Sequence, residues 1–214
     1  MGQGQSAEIK ASYLTAEELR VAASLLYNAY HDDLFFQQAF GRQGYGQKLR
    51  AALREELAEL WQHKQKLVGF YQEDVLVAVA CIVDKEYPQG ESRYWYWRLK
   101  MALVTGWSPT RHWMEREDEL KGMLPGDDYW LLQLIAVHPQ HQNQGIGGQV
   151  LASLLQLLSE SDSQGLAVFV SQPQHEQLFA RKGFKSMEKV TLGDVTGQLM
   201  YFDAADRDGV AQSV

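Results

Sequence analysis

Leu131-Leu132-Gln133-Leu134-Ile135-Ala136-Val137-His138-Pro139, followed closely by Gln142-Asn143-Gln144-Gly145-Ile146-Gly147-Gly148, is the stretch that decides the fold. Residues 131–137 form an apolar run of strand length, and Pro139 cannot continue a sheet ladder, which predicts a buried strand that ends there. From Ile146 to Leu158 apolar residues recur at spacings of three and four, which predicts an amphipathic helix. The glycines therefore lie where a strand gives way to a helix.

Glycines at such a junction suit a loop that binds an anion. Glycine lets the backbone approach a ligand closely, and the first turn of a helix directs N–H groups and a positive dipole end outward. A Walker phosphate loop is excluded because no Lys-Ser/Thr follows the glycines, and Val150 stands where a Rossmann loop would need a third glycine. The alternative is that Gly145, Gly147 and Gly148 only form a turn between packed elements.

The pattern Gln142-x-x-Gly145-x-Gly147, after a strand that ends Ile135-Ala136-Val137-x-Pro139, resembles the acetyl-coenzyme A loop of the GNAT N-acetyltransferases. The resemblance covers most of the chain and is strongest from Tyr129 to Phe184. His31-Asp32-Asp33-Leu34-Phe35-Phe36 and Tyr129-Trp130-Leu131 are similar to segments of the puromycin-acetyltransferase-like branch. The resemblance implies an α/β (α+β) protein with the GNAT acyl-CoA N-acyltransferase fold, in which a mixed sheet of about seven strands is flanked by helices.

Patterns along the rest of the chain agree with that fold. A capping box at Thr15–Glu18 predicts the start of a first helix, and residues 91–128, with four of the six tryptophans, predict a helical, aromatic-rich insertion between strands 3 and 4. We expect one domain over residues 1–203 and a flexible tail over 204–214. The other predicted strands are Glu8–Leu14, Leu67–Gln72, Val75–Val83, Leu166–Val170, Phe184–Thr191 and Gln198–Phe202, and the other predicted helices are Gln47–Gln62 and Gln174–Lys182.

Composition limits the possible partners. The chain has 214 residues, 45% of them hydrophobic, and a formal net charge of -7, so clustered Lys and Arg for nucleic acid or an anionic membrane are not expected. Cys81 is the only cysteine and the N-terminus lacks the apolar core of a signal peptide, which favours the cytoplasm. The six histidines show no metal-ligand spacing, so we expect no metal. A monomer and a homodimer are both compatible with these features.

The resemblance also implies how the donor would bind. Backbone groups of Ile135 and Val137 would bond the pantetheine arm of acetyl-CoA, amides of residues 142–148 would hold the pyrophosphate, and an N–H near Ile135 would face the thioester oxygen. The residues that the resemblance assigns to acetyl-CoA are Ile135, Ala136, Val137, Gln142, Asn143, Gln144, Gly145, Ile146, Gly147, Gly148, His175 and Phe179.

The proton carriers depart from the family pattern. Phe179 stands where many members have a tyrosine that protonates the thiolate, and Leu131 and Gln133 stand where relatives often carry a Glu or His base. The remaining catalytic candidates are Tyr129, Gln133 and Ser171.

For the acceptor amine we expect Asp32, Asp33, Phe35 and Phe36 to face residues 94–97 across an aromatic-walled mouth. The predicted function is acetyl-CoA-dependent N-acetyl transfer to a primary amine of a small molecule or peptide. The alternative is a CoA-binding domain that has lost catalysis and acts as a sensor or interaction module.

Overall fold

A computed structural model describes residues 9–87, 91–124, 126, 128–192 and 195–206 of the chain. These residues form a seven-stranded sheet flanked by α-helices. The strands are β1 (Lys10–Tyr13), β2 (Lys66–Gln72), β3 (Val75–Val83), β4 (Tyr129–Val137), β5 (Gly165–Val170), β6 (Lys185–Leu192) and β7 (Val195–Asp203). The helices are α1 (Leu19–Tyr30), α2 (Leu34–Phe40), α3 (Tyr45–Gln62), α4 (Glu91–Thr105), α5 (Trp107–Gly122), α6 (Ile146–Ser159) and α7 (Pro173–Ala180), with short 3₁₀ helices at Pro139–His141 and Ala204–Asp206.

The sheet is mixed, in the order β1-β2-β3-β4-β5-β7-β6. Strands β4 and β5 are parallel, because α6 carries the chain back between them, and the other neighbouring strands are antiparallel. This architecture confirms the predicted fold, including the strand-loop-helix unit from which the prediction started.

A bulge interrupts β4 in its middle. Cys81 of β3 lies opposite Leu134, but the next residue of β3, Ile82, lies opposite Leu132, so Gln133 is the extra residue in β4. The bulge places Gln133 and Leu134 at the point where β4 and its other neighbour, β5, begin to separate.

The separation of those strands opens a cleft. β4 and β5 pair from Tyr129 opposite Gly165 to Leu132 opposite Val168, and among the described residues their pairing ends there although β4 continues to Val137. The carboxyl end of β4 therefore has an open edge that faces away from β3. This edge and the start of α6 bound the cleft on one side.

Two hydrophobic cores cover the two faces of the sheet near the cleft. Leu134 and Ala136 pack with α1, α2, α3 and α4 on one face, whereas Ile135 and Val137 pack with α6 and α7 on the other. This alternation follows from the period of two in a strand. Burial of each large apolar side chain contributes roughly 1.5–3 kcal/mol, so the cleft is carried by a rigid scaffold.

Helix α2 was not predicted from the sequence. The Asp33 carboxylate caps it by accepting hydrogen bonds from the N–H groups of Phe35 and Phe36, at 3.0 and 3.3 Å. The helix ends at Gly41, whose φ of 66° is favoured by glycine. A helix of 7 residues is too short to show a reliable periodic pattern, which explains why it was missed.

The insertion is helical, as predicted, and Gly106 with a φ of 102° separates its two helices. At the other end of the chain, residues 204–206, the start of the predicted tail, form a short 3₁₀ helix. The Ala204 N–H donates to the Gln164 carbonyl at 2.8 Å, and the Asp206 side chain pairs with Lys185 at 2.7 Å. Residues 1–8 and 207–214 lie outside the described part of the chain. Among the described residues, every helix is too short or too polar to cross a lipid bilayer.

Candidate active site

The open edge of β4 presents main-chain groups to the cleft. The N–H of His138 donates to the Val77 carbonyl of β3 at 2.8 Å, and bonded pairs alternate along an antiparallel ladder. Ala136 is therefore bonded to β3, while Ile135 and Val137 direct their N–H and C=O groups toward the cleft. This is the edge that the family resemblance assigns to the pantetheine arm.

Two side chains occupy that edge. The Tyr30 hydroxyl donates a hydrogen bond to the Ile135 carbonyl at 2.9 Å and accepts one from the Ile135 N–H at 3.1 Å. The Gln142 side-chain amide donates to the Val137 carbonyl at 3.0 Å. Because these partners are side chains and not a neighbouring strand, a ligand arm can replace them without breaking the sheet.

The amino end of α6 lies at the end of the same strand and forms a cradle. Gly145 adopts a left-handed conformation with φ 81°, and a Cβ added to it would meet no atom within 4 Å. The N–H groups of Gly148 and Gln149 bond to the Gly145 carbonyl at 3.1 and 3.3 Å. The N–H groups of Ile146 and Gly147, the first two of the helix, have no intrahelical partner. The exposed loop before them completes a site that fits an anion such as a pyrophosphate.

The mouth of the cleft is lined by charged and aromatic side chains from three helices and β5. The Arg116 guanidinium of α5 lies over the Phe35 ring at 4.8 Å and over the Phe169 ring at 5.7 Å from their centroids. Burial raises the pKa of the Asp33 carboxyl, while the helix N–H groups that it caps, Arg116 and His175 lower it. Asp33 is therefore a half-buried acid that feels the charges of Arg116 and His175 across this mouth.

His175 lies in α7, on the other side of the mouth from α2. Loss of solvent lowers the pKa of His175, and the negative charge of Asp33 raises it by a smaller amount. The imidazole is therefore mainly neutral at physiological pH. Because His175 is mainly neutral, the positive charge that acts on the Asp33 carboxylate comes from Arg116.

A buried polar cluster lies behind the β4 bulge. The Glu56 side chain of α3 is fully buried and accepts hydrogen bonds from the Gln133 amide at 2.8 Å and from the Trp97 indole at 3.1 Å. Because a carboxylate can only accept, Glu56 fixes the Gln133 amide group with its nitrogen toward α3 and its oxygen away from Glu56. That oxygen is buried and has no hydrogen-bond partner among the described residues.

The structure separates the predicted acceptor residues. Asp33, Phe35 and Phe36 meet at the mouth, whereas the Asp32 side chain is 93% exposed and pairs with His31. The expected wall of residues 94–97 is not supported at Trp97, which is buried in the core; the side chains of 94–96 lie outside the described residues. The helix that meets α2 at the mouth is α5, through Arg116.

The three catalytic candidates lie in different places. Gln133 is in the bulge, and Ser171 follows β5 at the cleft end of that strand. Tyr129 lies at the opposite, paired end of β4, where its ring packs against Tyr201 at 5.0 Å. Phe179 is 4% exposed and packs edge-on against Phe184 at 5.1 Å between ring centroids, so its ring is part of the core.

Sequence reasoning missed Tyr30, Glu56 and Arg116 as site residues. Glu56 carried a usable signal, because it falls on the buried stripe of α3 with Leu49, Leu53 and Leu60. A charged residue within an apolar stripe indicates a buried polar partner. Tyr30 lies on the apolar face of α1, but nothing in the local sequence indicates which backbone group its hydroxyl reaches.

Part of the chain matches a known family profile. A family profile described as an acetyltransferase (GNAT) domain matches residues 108–194. This range contains β4, the glycine loop, α6, β5 and α7. No functionally curated protein matches the chain significantly by sequence.

Solved structures share the fold at low sequence identity. One such structure, from Corynebacterium glutamicum, is described as histone acetyltransferase HPA2 and related acetyltransferase. It is 16% identical, with a TM-score of 0.70 over 90% of this chain and 94% of that one. A polyamine N-acetyltransferase of Drosophila melanogaster is 15% identical, with a TM-score of 0.66 over 92% of this chain and 100% of that one. The ribosomal-protein-S18-alanine N-acetyltransferase of Escherichia coli is 16% identical, with a TM-score of 0.56 over 92% of this chain and 94% of that one.

Proposed function

We propose that the chain is a GNAT acetyltransferase, the family whose profile matches residues 108–194, and that it transfers the acetyl group of acetyl-CoA to a primary amine of a small molecule or peptide. The observation that carries the proposal is the joint placement of the open β4 edge and the α6 cradle at one end of the cleft. At the edge, Ile135 and Val137 each offer an N–H donor and a C=O acceptor. The cradle offers N–H groups that have no intrahelical partner, beside a glycine with free space above it.

The donor fits this arrangement by its chemistry. Its pantetheine arm carries amides that can add to an open strand edge, and its pyrophosphate suits a helix amino terminus. Residues 135–137 hold the arm and residues 142–148 hold the pyrophosphate. Ala136 contributes through its place in the strand, since its own backbone is bonded to β3. His175 lies at the mouth, beside the arm, and Phe179 supports α7 from the core.

The acceptor enters through the mouth formed by α2, α5 and α7. The Asp33 carboxyl is half-buried, and burial raises its pKa, so a cationic group that binds beside it recovers part of the lost solvation. Phe35, whose ring lies beneath the Arg116 guanidinium, supplies apolar surface at the same mouth, and Phe36, which is 1% exposed, supports it from the core. Asp32, which is highly exposed, acts at most on the approach of a charged amine.

The reaction needs alignment and charge stabilisation more than a strong side-chain base. The amine loses its proton to water and attacks the thioester carbon, and negative charge develops on the thioester oxygen near the Ile135 N–H. Gln133 cannot take a proton, but its buried amide oxygen, fixed by Glu56, is an acceptor for an amine N–H. Ser171 is available at the cleft end of β5. After the attack, the nitrogen gives a second proton to water, and the departing thiolate takes a proton from water.

The test is release of free CoA in the presence of amines. The purified chain is incubated with acetyl-CoA and a panel that contains a monoamine, an arylalkylamine, a diamine, an amino acid and a peptide with a free N-terminus. Free thiol is followed with a chromogenic disulfide, and products are identified by mass spectrometry. We expect amine-dependent thiol release and an acetylated product for at least one class.

Two controls make the result decisive. A Gly145→Leu protein should lose both CoA binding and thiol release, which shows that the activity belongs to this site. If the wild-type chain binds acetyl-CoA but no amine raises thiol release above hydrolysis, the proposal is wrong, and the chain is a CoA-binding module without transfer activity.

A further inference from the structure

The Tyr30 hydroxyl forms hydrogen bonds with both main-chain polar groups of Ile135, which packing of its ring alone does not require. It donates to the carbonyl at 2.9 Å and accepts from the N–H at 3.1 Å, so one phenol oxygen satisfies both main-chain groups of a residue on the open edge. Tyr30 is the last residue of α1, and its ring packs edge-on against Phe36 at 5.5 Å between centroids. The phenol is therefore held toward β4 from the acceptor side of the cleft.

The same Ile135 N–H is the group that the proposed function gives to the thioester oxygen, and the present inference rests on that function. When the thioester oxygen takes this N–H, the Tyr30 oxygen must move away by about one hydrogen-bond length, roughly 2.8 Å. The Ile135 carbonyl becomes bonded to an amide N–H of the pantetheine arm. The Tyr30 hydroxyl proton then needs a new acceptor, and the thioester oxygen, bound at the Ile135 N–H that Tyr30 has left, is one hydrogen-bond length away in this arrangement.

We propose that Tyr30 is a catalytic residue whose hydroxyl donates the second hydrogen bond, beside the Ile135 N–H, to the thioester oxygen as it becomes negative. The bond that forms joins the amine nitrogen to the thioester carbon, and the carbonyl π electrons move onto this oxygen. The nitrogen, positively charged once bonded, gives its extra proton to water, and Tyr30 keeps its own proton throughout. When the carbonyl re-forms, the carbon–sulfur bond breaks and the thiolate leaves toward solvent, so the step needs no proton from Tyr30.

The ionisation of Tyr30 agrees with a donor role and opposes a role as a base. Burial raises the pKa of Tyr30 to about 12, with Asp33 adding to the rise and with the Ile135 carbonyl and Arg116 opposing it. The phenol therefore stays protonated over the whole range of physiological pH. A neutral hydroxyl that is already removed from water loses little solvation when it turns to a developing oxyanion.

The competing explanation is that the hydroxyl only fills the edge of β4 in the absence of the donor. These two roles make opposite predictions for Tyr30→Phe. A donor to the oxyanion polarises the bound thioester and speeds transfer, so its loss leaves the carbonyl less polarised and the enzyme slower. A hydroxyl that only fills the edge competes with acetyl-CoA, so its loss tightens binding and leaves turnover unchanged or higher.

The test is the infrared carbonyl band of acetyl-CoA labelled with ¹³C at the thioester carbon, recorded bound to the protein without any amine. We expect the band to lie at higher wavenumber in Tyr30→Phe than in the wild type. The dissociation constant of the variant for acetyl-CoA should stay within a few-fold of the wild-type value. We also expect turnover on the best amine to fall about 10²- to 10³-fold, the usual cost of removing an oxyanion donor. Tyr45→Phe is the matched control, because within the described part of the chain its hydroxyl bonds to the Tyr30 carbonyl alone, at 3.4 Å.

The outcomes separate this inference from the proposed function. An unchanged carbonyl band, or tighter binding with undiminished turnover, overturns the role of Tyr30 while acetyl-CoA binding still stands. Failure of the wild-type chain to bind acetyl-CoA overturns both. If Tyr30→Phe does not fold, 3-fluorotyrosine at position 30 provides the second variant: its hydroxyl is a stronger donor, so the band should move to lower wavenumber, and an unmoved band contradicts the inference.

Discussion

Replacement of Gly145 by leucine tests the α6 cradle, and Gly44→Leu is its matched control. Both glycines precede a helix in the left-handed conformation, with φ 81° and ψ -2° at Gly145 and φ 66° and ψ 19° at Gly44. An added Cβ meets no atom within 4 Å at either position. A non-glycine residue in this conformation costs roughly 1–2 kcal/mol, so both variants should lose the same stability.

Only Gly145→Leu should lose CoA binding. At a CoA concentration about 100 times the dissociation constant, binding stabilises the wild type and Gly44→Leu by about 2.7 kcal/mol. A chain of this size gains about 2–4 °C of melting temperature per kcal/mol. If the leucine lowers CoA affinity about 100-fold, the stabilisation of Gly145→Leu at the same concentration falls to about 0.4 kcal/mol.

The assay is thermal unfolding of all three proteins with and without CoA. The expected pattern is two equally destabilised variants, of which only Gly44→Leu recovers the full wild-type shift with CoA. The reasoning about the cradle is refuted if Gly145→Leu keeps that shift, or if Gly44→Leu loses it to the same extent.

Three further changes test other parts of the account. Phe179→Tyr adds a hydroxyl within a packed core, so it should lower the free energy of unfolding by about 1–3 kcal/mol and should not raise turnover. Faster thiol release would contradict our placement of the Phe179 ring in the core. Burial raises the pKa of Asp84, but its hydrogen bond and ion pair with Lys66, together with other hydrogen bonds, outweigh burial and leave the pKa below its usual value. Asp84 therefore stabilises the fold above its unfolded pKa of about 3.9, and this contribution is lost as pH falls below that value. In acid unfolding, Asp84→Asn should flatten the decline of stability below pH of about 4, and an unchanged slope would show that the pair contributes nothing. Asp33→Asn keeps an acceptor oxygen for the helix cap but removes the charge, so KM for a cationic amine should rise with little change in stability; an unchanged KM in steady-state kinetics would remove Asp33 from the acceptor site.

The strand-loop-helix unit of β4 and α6 could be predicted because its signals are local. An apolar run ended by Pro139, glycines at the junction and helical spacing after them are all visible within a short window of sequence. The structure confirms each of these elements. Gly145 could also be placed correctly, since a junction of strand and helix requires a backbone turn that glycine adopts easily.

The arrangement around the mouth could not be predicted because it depends on contacts between distant parts of the chain. Tyr30 reaches Ile135 across 105 residues, and Glu56 reaches Gln133 across 77. Neither pairing leaves a local pattern, and both depend on how α1 and α3 cross the sheet. Arg116 comes from an insertion whose composition indicated helix but not which side chain would reach the cleft.

The β4 bulge shows the same limit at smaller scale. In the sequence, Gln133 looks like one polar residue in an apolar strand, and its side could be assigned from simple alternation. The extra residue at the bulge shifts the alternation, so Gln133 and Leu134 both belong to the side covered by α3 and α4. Such a bulge depends on the register with β3, and that register is a property of the assembled sheet.

Amide hydrogen exchange with and without acetyl-CoA shows whether the donor binds in this cleft, because it reports on the β4 edge and the α6 cradle separately in the intact protein. We expect acetyl-CoA to slow exchange in the segments that contain Val137 and residues 143–148, and we expect Gly145→Leu to abolish this protection. Protection confined to other segments, or none at a concentration that saturates the protein, would contradict the claim that this cleft is the acetyl-CoA site.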